Sequence, residues 1–184
     1  THVMPPNTGK YYYEMEVQTG SSYTFGMKST LRLGSGTSGN EGRYTYYGHN
    51  GYKQDPSSSA SYGASYTAGD TVAILYDSDA GDVYFYKNNT SQGLAISGAN
   101  DKDYQPYVYL DNYGTAPNVH FNFGQRPFAY TPPAGAKKLS SKNMATPVAA
   151  GVVEPSRFFD TVTYIGNGAT VHPITGLGFK PEKE

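Results

Sequence analysis

The sequence contains no cysteine and no tryptophan. Without cysteine, disulfides, thiolate metal sites and cysteine nucleophiles are excluded. A surplus of one charge is also missing. Fourteen Lys and Arg against 15 Asp and Glu leave a net charge of −1, without the clustered positive charge that counterion release from nucleic acid requires. Neither nucleic acid nor an acidic membrane is expected as a partner. The longest apolar run, residues 148–153, has a glycine inside it and falls far short of the roughly 18 residues a spanning helix needs. No signal-peptide pattern is visible, and the chain opens at Thr1 without an initiator Met, which suggests an excised or processed piece of something longer. Amphipathic helix periodicity is absent as well: glycines and prolines break every long window in which apolar residues could recur at helical spacing.

What the sequence does have is tyrosine. Nineteen of the 184 residues are Tyr, so a large part of the apolar 37% carries a hydroxyl that needs a partner. Tyr favours strands and recognition surfaces, and here it has to serve as core and surface together. Period-2 alternation is frequent. In residues 10–18, Tyr11, Tyr13, Met15 and Val17 share one face, and Tyr12, Glu14, Glu16 and Gln18 share the other, the pattern of a half-buried antiparallel strand. Residues 70–77 put Val72, Ile74 and Tyr76 on one face, and residues 82–87 put Val83 and Phe85 on one face; Ser78-Asp79-Ala80-Gly81 between them reads as a hairpin turn. Residues 104–110 and 118–123 are two further strands, and residues 23–28 and 43–47 two shorter ones, with Asn50-Gly51 marking a tight turn. Short strands with turns between them and no helices predict an all-β antiparallel sandwich.

The texture changes after Tyr130. Prolines 132, 133, 147 and 155 mark residues 131–157 as an extended connector, and residues 158–184 hold two short strands about the Gly166-Asn167-Gly168 turn. The predicted organisation is therefore a sandwich over 1–130, a proline-rich connector over 131–157 and a short C-terminal β appendage over 158–184, the start of a further domain or an assembly arm.

Taken in order, several of these elements resemble the SPRY (B30.2-like) family. They are Gly9-Lys10-Tyr11-Tyr12-Tyr13-Glu14, Gly69-Asp70-Thr71-Val72, Asp77 with Gly81 and the run Val83-Tyr84-Phe85-Tyr86-Lys87-Asn88-Asn89, then Pro106-Tyr107-Val108, and Asn122-Phe123-Gly124. The resemblance implies a concanavalin-like jelly roll that recognises its ligand through loops at one end. Asn89 stands where the family's hairpin usually has Gly, and no Trp stands where the family often has one. The run from Phe123 to Pro133 and the tail with Gly176-Leu177-Gly178-Phe179-Lys180-Pro181 are similar to SPRY domains in tailed-phage structural proteins, which implies a virion location.

Other constellations have plainer explanations. Gly34-Ser35-Gly36-Thr37-Ser38-Gly39 has dinucleotide-loop spacing but leads into a strand rather than a helix. Asp77, Asp79 and Asp82 open like a calcium loop but lack its sixth-position Gly and twelfth-position Glu. The four histidines, His2, His49, His120 and His172, accompany no nucleophile elbow. No catalytic residue, metal or cofactor is assigned, and the chain is not read as an enzyme.

The candidate ligand-binding residues are Tyr46, Tyr47, His49, Asn50 and Tyr52, with Asp111, Asn112 and Tyr113 from a second loop. Ring faces give contact area at small entropy cost, and amide and carboxylate groups orient a polar ligand. Alternate tyrosines such as Tyr44 and Tyr46 would equally fill the sandwich. The expected function is a non-enzymatic virion module, tail-associated or capsid-decorating, that binds a host glycan or another virion protein. The alternatives are a scaffold that packs between virion subunits through its C-terminal arm, by self-assembly or with other virion proteins, and a cellular SPRY adaptor that binds a peptide.

Overall fold

The computed structural model describes residues 3–20, 23–30, 42–110 and 115–139. Every regular element among them is a strand: β1 (Lys10–Thr19), β2 (Tyr23–Ser29), β3 (Arg43–Tyr47), β4 (Tyr52–Gln54), β5 (Ser59–Ser61), β6 (Thr71–Asp77), β7 (Asp82–Lys87), β8 (Thr90–Ile96), β9 (Tyr104–Leu110), β10 (Asn118–Asn122) and β11 (Ala136–Lys138). They form two sheets, ordered β10-β1-β6-β7-β8 and β5-β4-β3-β2-β9, which we call the first and the second sheet. All ladders are antiparallel but one: β11 runs parallel to β1 over Lys10–Tyr12, next to the stretch Glu14–Thr19 that β10 covers. The glycine-rich run 34–39, the loop 111–114 and residues 140–184 lie outside the described residues.

The alternation read from the sequence is the alternation of the core. Tyr11, Tyr13, Met15 and Val17 of β1 face inward with Val72, Ile74 and Tyr76 of β6 and Val83 and Phe85 of β7; Tyr23, Phe25, Met27 and Tyr46 of the second sheet meet them. The layers touch through rings. Phe25 sits 5.6 Å from Tyr13 and 6.2 Å from Phe85, and Tyr46 sits 5.4 Å from Phe85.

Tryptophan is absent and tyrosine takes its place. A buried hydroxyl left unpaired costs about 1–3 kcal/mol, so these hydroxyls are paired, most of them with backbone carbonyls. Tyr13 donates to the carbonyl of Gly26 at 2.7 Å, Tyr66 to that of Tyr46 at 2.9 Å, and Tyr76 to that of Ala99 at 2.7 Å. Tyr23 and Tyr46 donate to the carbonyls of Thr19 and Ala64. Each ring thus buries apolar area and ties one segment to another.

The outer face of β1 departs from the half-buried pattern. Tyr12 and Glu14 are buried, because residues 123–139 cross this face as a strap. The turn into the strap is made by Asn122, whose amide nitrogen donates to the Pro127 carbonyl at 2.9 Å while its oxygen accepts from the Gly124 N–H at 3.0 Å. Phe128 then meets the Tyr12 ring edge-on at 5.0 Å. The Glu14 carboxylate accepts from the N–H groups of Ala129 and Tyr130, at 2.9 and 3.1 Å, and from the Tyr12 hydroxyl at 3.0 Å. Residues 131–139, the first part of the connector, thus return to the sheet as β11.

Candidate recognition surface

Strand direction brings the start of β2, the end of β3, the start of β4 and the end of β9 to one end of the second sheet. Tyr23 pairs with Leu110, and Thr24 pairs with both Tyr47 and Tyr109. Directly paired residues share a face, so Tyr109, Thr24 and Tyr47 form one row on the outer side, away from the core. Three of the four large hydrophobic residues exposed among the described residues lie at this end: Tyr52 and Tyr109 on the outer side, and Leu110, which pairs with the core residue Tyr23, on the inner side of the strand end.

The β3–β4 turn that carries the sequence-predicted residues is held from below. The N–H of Gly48 donates to the Tyr23 carbonyl at 2.8 Å, and that of Tyr66 to the Gly48 carbonyl at 2.8 Å. Gly51 has a φ of 71°, and a Cβ there would lie 2.0 Å from the Gly63 carbonyl oxygen, so only glycine fits. On this base Asn50 Oδ1 accepts from the Tyr52 N–H at 3.0 Å, His49 meets the Tyr47 ring edge-on at 5.8 Å, and the Tyr47 hydroxyl donates to Gln54 Oε1 at 2.5 Å. The rings are positioned by the fold before any ligand arrives.

Of the sequence-predicted residues, Tyr47, His49, Asn50 and Tyr52 come together on this turn, with His49, Asn50 and Tyr52 exposed. Tyr46 does not join them. It is fully buried, one step out of phase with Tyr47 along β3, and its ring offers no surface to a partner; burial also pushes its hydroxyl well above the ordinary tyrosine range. Asp111, Asn112 and Tyr113 lie outside the described residues. The sequence reading does not include Tyr109. The signal for Tyr109 was its phase: Tyr104, Pro106 and Val108 alternate with Gln105, Tyr107 and Tyr109, which marks the second set as outward.

The remaining polar clusters serve the fold. Asp77 takes the Lys10 ammonium at 3.2 Å and caps its own turn, Asp79 accepts from the Gly9 N–H at 2.9 Å, and Asp82 accepts from the Tyr84 hydroxyl at 3.4 Å. Their carboxylates thus point to three different partners around a hairpin turn. Glu16 lies opposite His120 and contacts Arg126 at 3.4 Å, and hydrogen bonds from Gln18 and Arg126 hold its carboxyl below the usual range.

The SPRY domain family model matches residues 10–126, from β1 through β10 into the strap. The chain belongs to the SPRY family. Two curated relatives are the E3 ubiquitin-protein ligase RKP of Arabidopsis thaliana, 28% identical over 131 residues, and the dual specificity protein kinase splA of Dictyostelium discoideum, 34% identical over 102 residues. These alignments cover 66% and 55% of this chain but only 10% and 4% of those proteins. The crystal structure of the SPRY domain of human HERC1 superposes with a TM-score of 0.54 at 17% identity, covering 69% of this chain and 81% of that one, and shares the fold. SPRY domains are in general non-catalytic modules that bind other proteins. Glu14, Asp70, Asn88 and Asn122, four polar residues of the family motifs, all make hydrogen bonds that hold strands or turns in place.

Proposed function

We propose that this SPRY domain is a non-enzymatic recognition module that docks a segment of another protein on the end of its second sheet, over Tyr47, His49, Asn50, Tyr52 and Tyr109. The carrying observation is that Tyr52 and Tyr109 stand exposed on the same side of the sheet beside a turn fixed from beneath. Exposed aromatic and aliphatic side chains at one place, on rigid strands, supply binding area at small ordering cost. The test is binding of candidate partners to the full chain and to a variant with Tyr52→Ala and Tyr109→Ala together. Loss of binding with an unchanged melting temperature supports the reading. A glycan is the other ligand these rings suit, and a glycan array probed in parallel separates the two.

The setting we propose is a phage particle, tail-associated or capsid-decorating, on the similarity of residues 123–133 and the C-terminal tail to tailed-phage proteins. A second reading, a recognition domain within a larger cellular protein, draws on the relatives, which are a ubiquitin ligase and a kinase many times longer than this chain. Mass spectrometry of the native protein, with its intact mass and its presence or absence in purified virions, decides between them.

A further inference from the structure

Among the described residues the first sheet ends in β8 and β10, and the second in β5 and β9. An edge strand leaves backbone N–H and carbonyl groups open to another strand unless the fold covers them. Three of these edges are covered or short. At β8 the carbonyls of Gly93 and Ala95 accept from the Tyr62 hydroxyl and the Lys53 ammonium. Beside β10 the Gln125 side chain donates to the Phe121 carbonyl and accepts from the Phe123 N–H. β5 has only the residues Ser59, Ala60 and Ser61. β9 differs. Met4 and Tyr104 exchange backbone hydrogen bonds at 2.7 and 3.1 Å, so Tyr104 turns its backbone groups away from β2. Direction alternates along a strand, so Pro106, Val108 and Leu110 turn theirs the same way, while Gln105, Tyr107 and Tyr109 bond to β2. Pro106 stands in the outward set, where the β2–β9 ladder needs no N–H. Among the described residues no hydrogen bond reaches the outward groups of Val108 or Leu110.

The same flank leaves core side chains half covered. Val108 faces inward as the ladder partner of Phe25, and Phe121 of β10 lies 6.2 Å from the Phe25 ring. Val108, Val119 and Phe121 pack against the core while only half-buried, and Leu110 is exposed. An open backbone edge beside a half-covered apolar strip fits an extended segment, whose main chain completes the ladder and whose inward side chain covers the strip.

We infer that β9 receives an extended segment of the partner protein as an added antiparallel strand over Pro106 to Leu110, with the residue paired to Val108 seating an apolar side chain on Val108, Leu110 and Phe121. The inference rests on the docking surface proposed above, whose Tyr109 stands on the outer side of this edge, and adds how the segment is held. The length of the opening selects the occupant. Met4 closes the edge at Tyr104, and the open stretch ends with β9 at Leu110. A stable contact between two folded surfaces engages about 20–30 residues a side, so this stretch suits a short linear segment rather than a second copy of the chain. The ladder sets the segment's pattern: every second N–H turns toward β9, and the side chains of those residues face inward with Val108.

The test selects binders to the full chain from a displayed library of random peptides, then synthesises a recovered sequence with a single N-methyl group moved along its backbone. Alternate positions should lose at least about tenfold in affinity and the positions between them less than about twofold, because only every second N–H faces β9. Amide hydrogen exchange at Val108 and Leu110 should be fast in the free chain and slowed by the unmethylated peptide, with Tyr107 and Tyr109 protected in both states. Val108→Pro, which removes an outward N–H as Pro106 already does, should weaken binding at least about tenfold. Leu110→Lys, which sets a charge on an exposed position of the edge, should do the same and serves if Val108→Pro fails to fold. A methylation profile without alternation, or a peptide that leaves exchange at Val108 and Leu110 unchanged, overturns the inference. Protection of those two amides that rises with protein concentration in the absence of peptide also overturns it, in favour of a second copy. If a peptide with a flat profile still loses affinity with Tyr52→Ala and Tyr109→Ala, the docking surface stands and only the added strand falls. An alternating profile that those two substitutions leave untouched keeps the added strand and removes that surface. Failure to recover any peptide brings down both.

Discussion

The carboxylate of Glu14, in the middle of β1, accepts a hydrogen bond from the backbone N–H of Ala129, 115 residues later in the chain. With the Tyr130 N–H and the Tyr12 hydroxyl on the same carboxylate, this contact fastens the strap across the first sheet. Hydrogen bonds to a charged group contribute about 1.5–3 kcal/mol each, and a buried group left unpaired adds its own cost. Glu14→Ala should therefore lower stability by about 3–4 kcal/mol. Limited proteolysis should then cut within 125–135 well before the sandwich itself; a strap as resistant as in the wild type would contradict this.

Tyr46 and Tyr52 separate core from surface on either side of one turn. Tyr46→Ala removes a fully buried ring and should cost about 3–5 kcal/mol in a denaturant titration. Tyr52→Ala, on an exposed ring, should stay within about 0.5 kcal/mol of the wild type. Equal losses would place both rings in the core.

The β7–β8 hairpin turns on Asn88 and Asn89, with φ of 47° and 67°, between the paired Lys87 and Thr90. Two consecutive positive φ values define the turn that favours Asn-Gly. Asn89→Gly should raise stability by about 0.5–1 kcal/mol by removing strain. Asn88→Gly should lower it, because the Asn88 side chain accepts from the Thr71 N–H at 2.8 Å and donates to Asp70 at 2.6 Å. Thermal melts of the two variants should move in opposite directions.

Acid should unfold the domain through Asp70 and Asp77. Burial alone would raise both carboxyls, but the Thr67 N–H, Asn88 and Lys87 around Asp70, and Lys10 with the turn N–H groups around Asp77, outweigh it and hold both below the ordinary range. A carboxyl lowered in the folded state contributes stability that is present above its unfolded value, about 3.9, and is lost as the pH falls through the folded value. Melting temperature should be flat above about pH 5 and fall steeply below about pH 4. Asp70→Asn should melt lower at neutral pH and show a shallower fall in acid; a wild-type slope in that variant would remove Asp70 from the account.

The sequence made the sandwich legible because its two layers are written in period-2 alternation. Tyr11, Tyr13, Val72, Ile74, Val83 and Phe85 face the core as their phase requires. Sequence phase could not show what covers an outer face. Glu14 reads as a solvated residue until the strap is seen to bring two N–H donors to it from residues 129 and 130. Short strands such as β4 and β5 also escaped, since three residues carry too little pattern and exist because β3 offers an edge. At the recognition surface the turn residues were visible through Asn50-Gly51. Tyr46 and Tyr47 adjoin in sequence, yet neighbours on a strand face opposite sides, which puts Tyr46 in the core. Tyr109 reaches the same end only through the β2–β9 ladder, whose partners are 75 to 87 residues apart and have no local signature.

The most direct measurement of the central claim is photo-crosslinking of the full chain in its native milieu, with the reactive group placed in turn at Tyr52, at Tyr109 and, as a control on the first sheet, at Tyr86. The account predicts that positions 52 and 109 capture the same protein partner and that position 86 does not. Capture of that partner from position 86 alone, with nothing captured from 52 or 109, would contradict it.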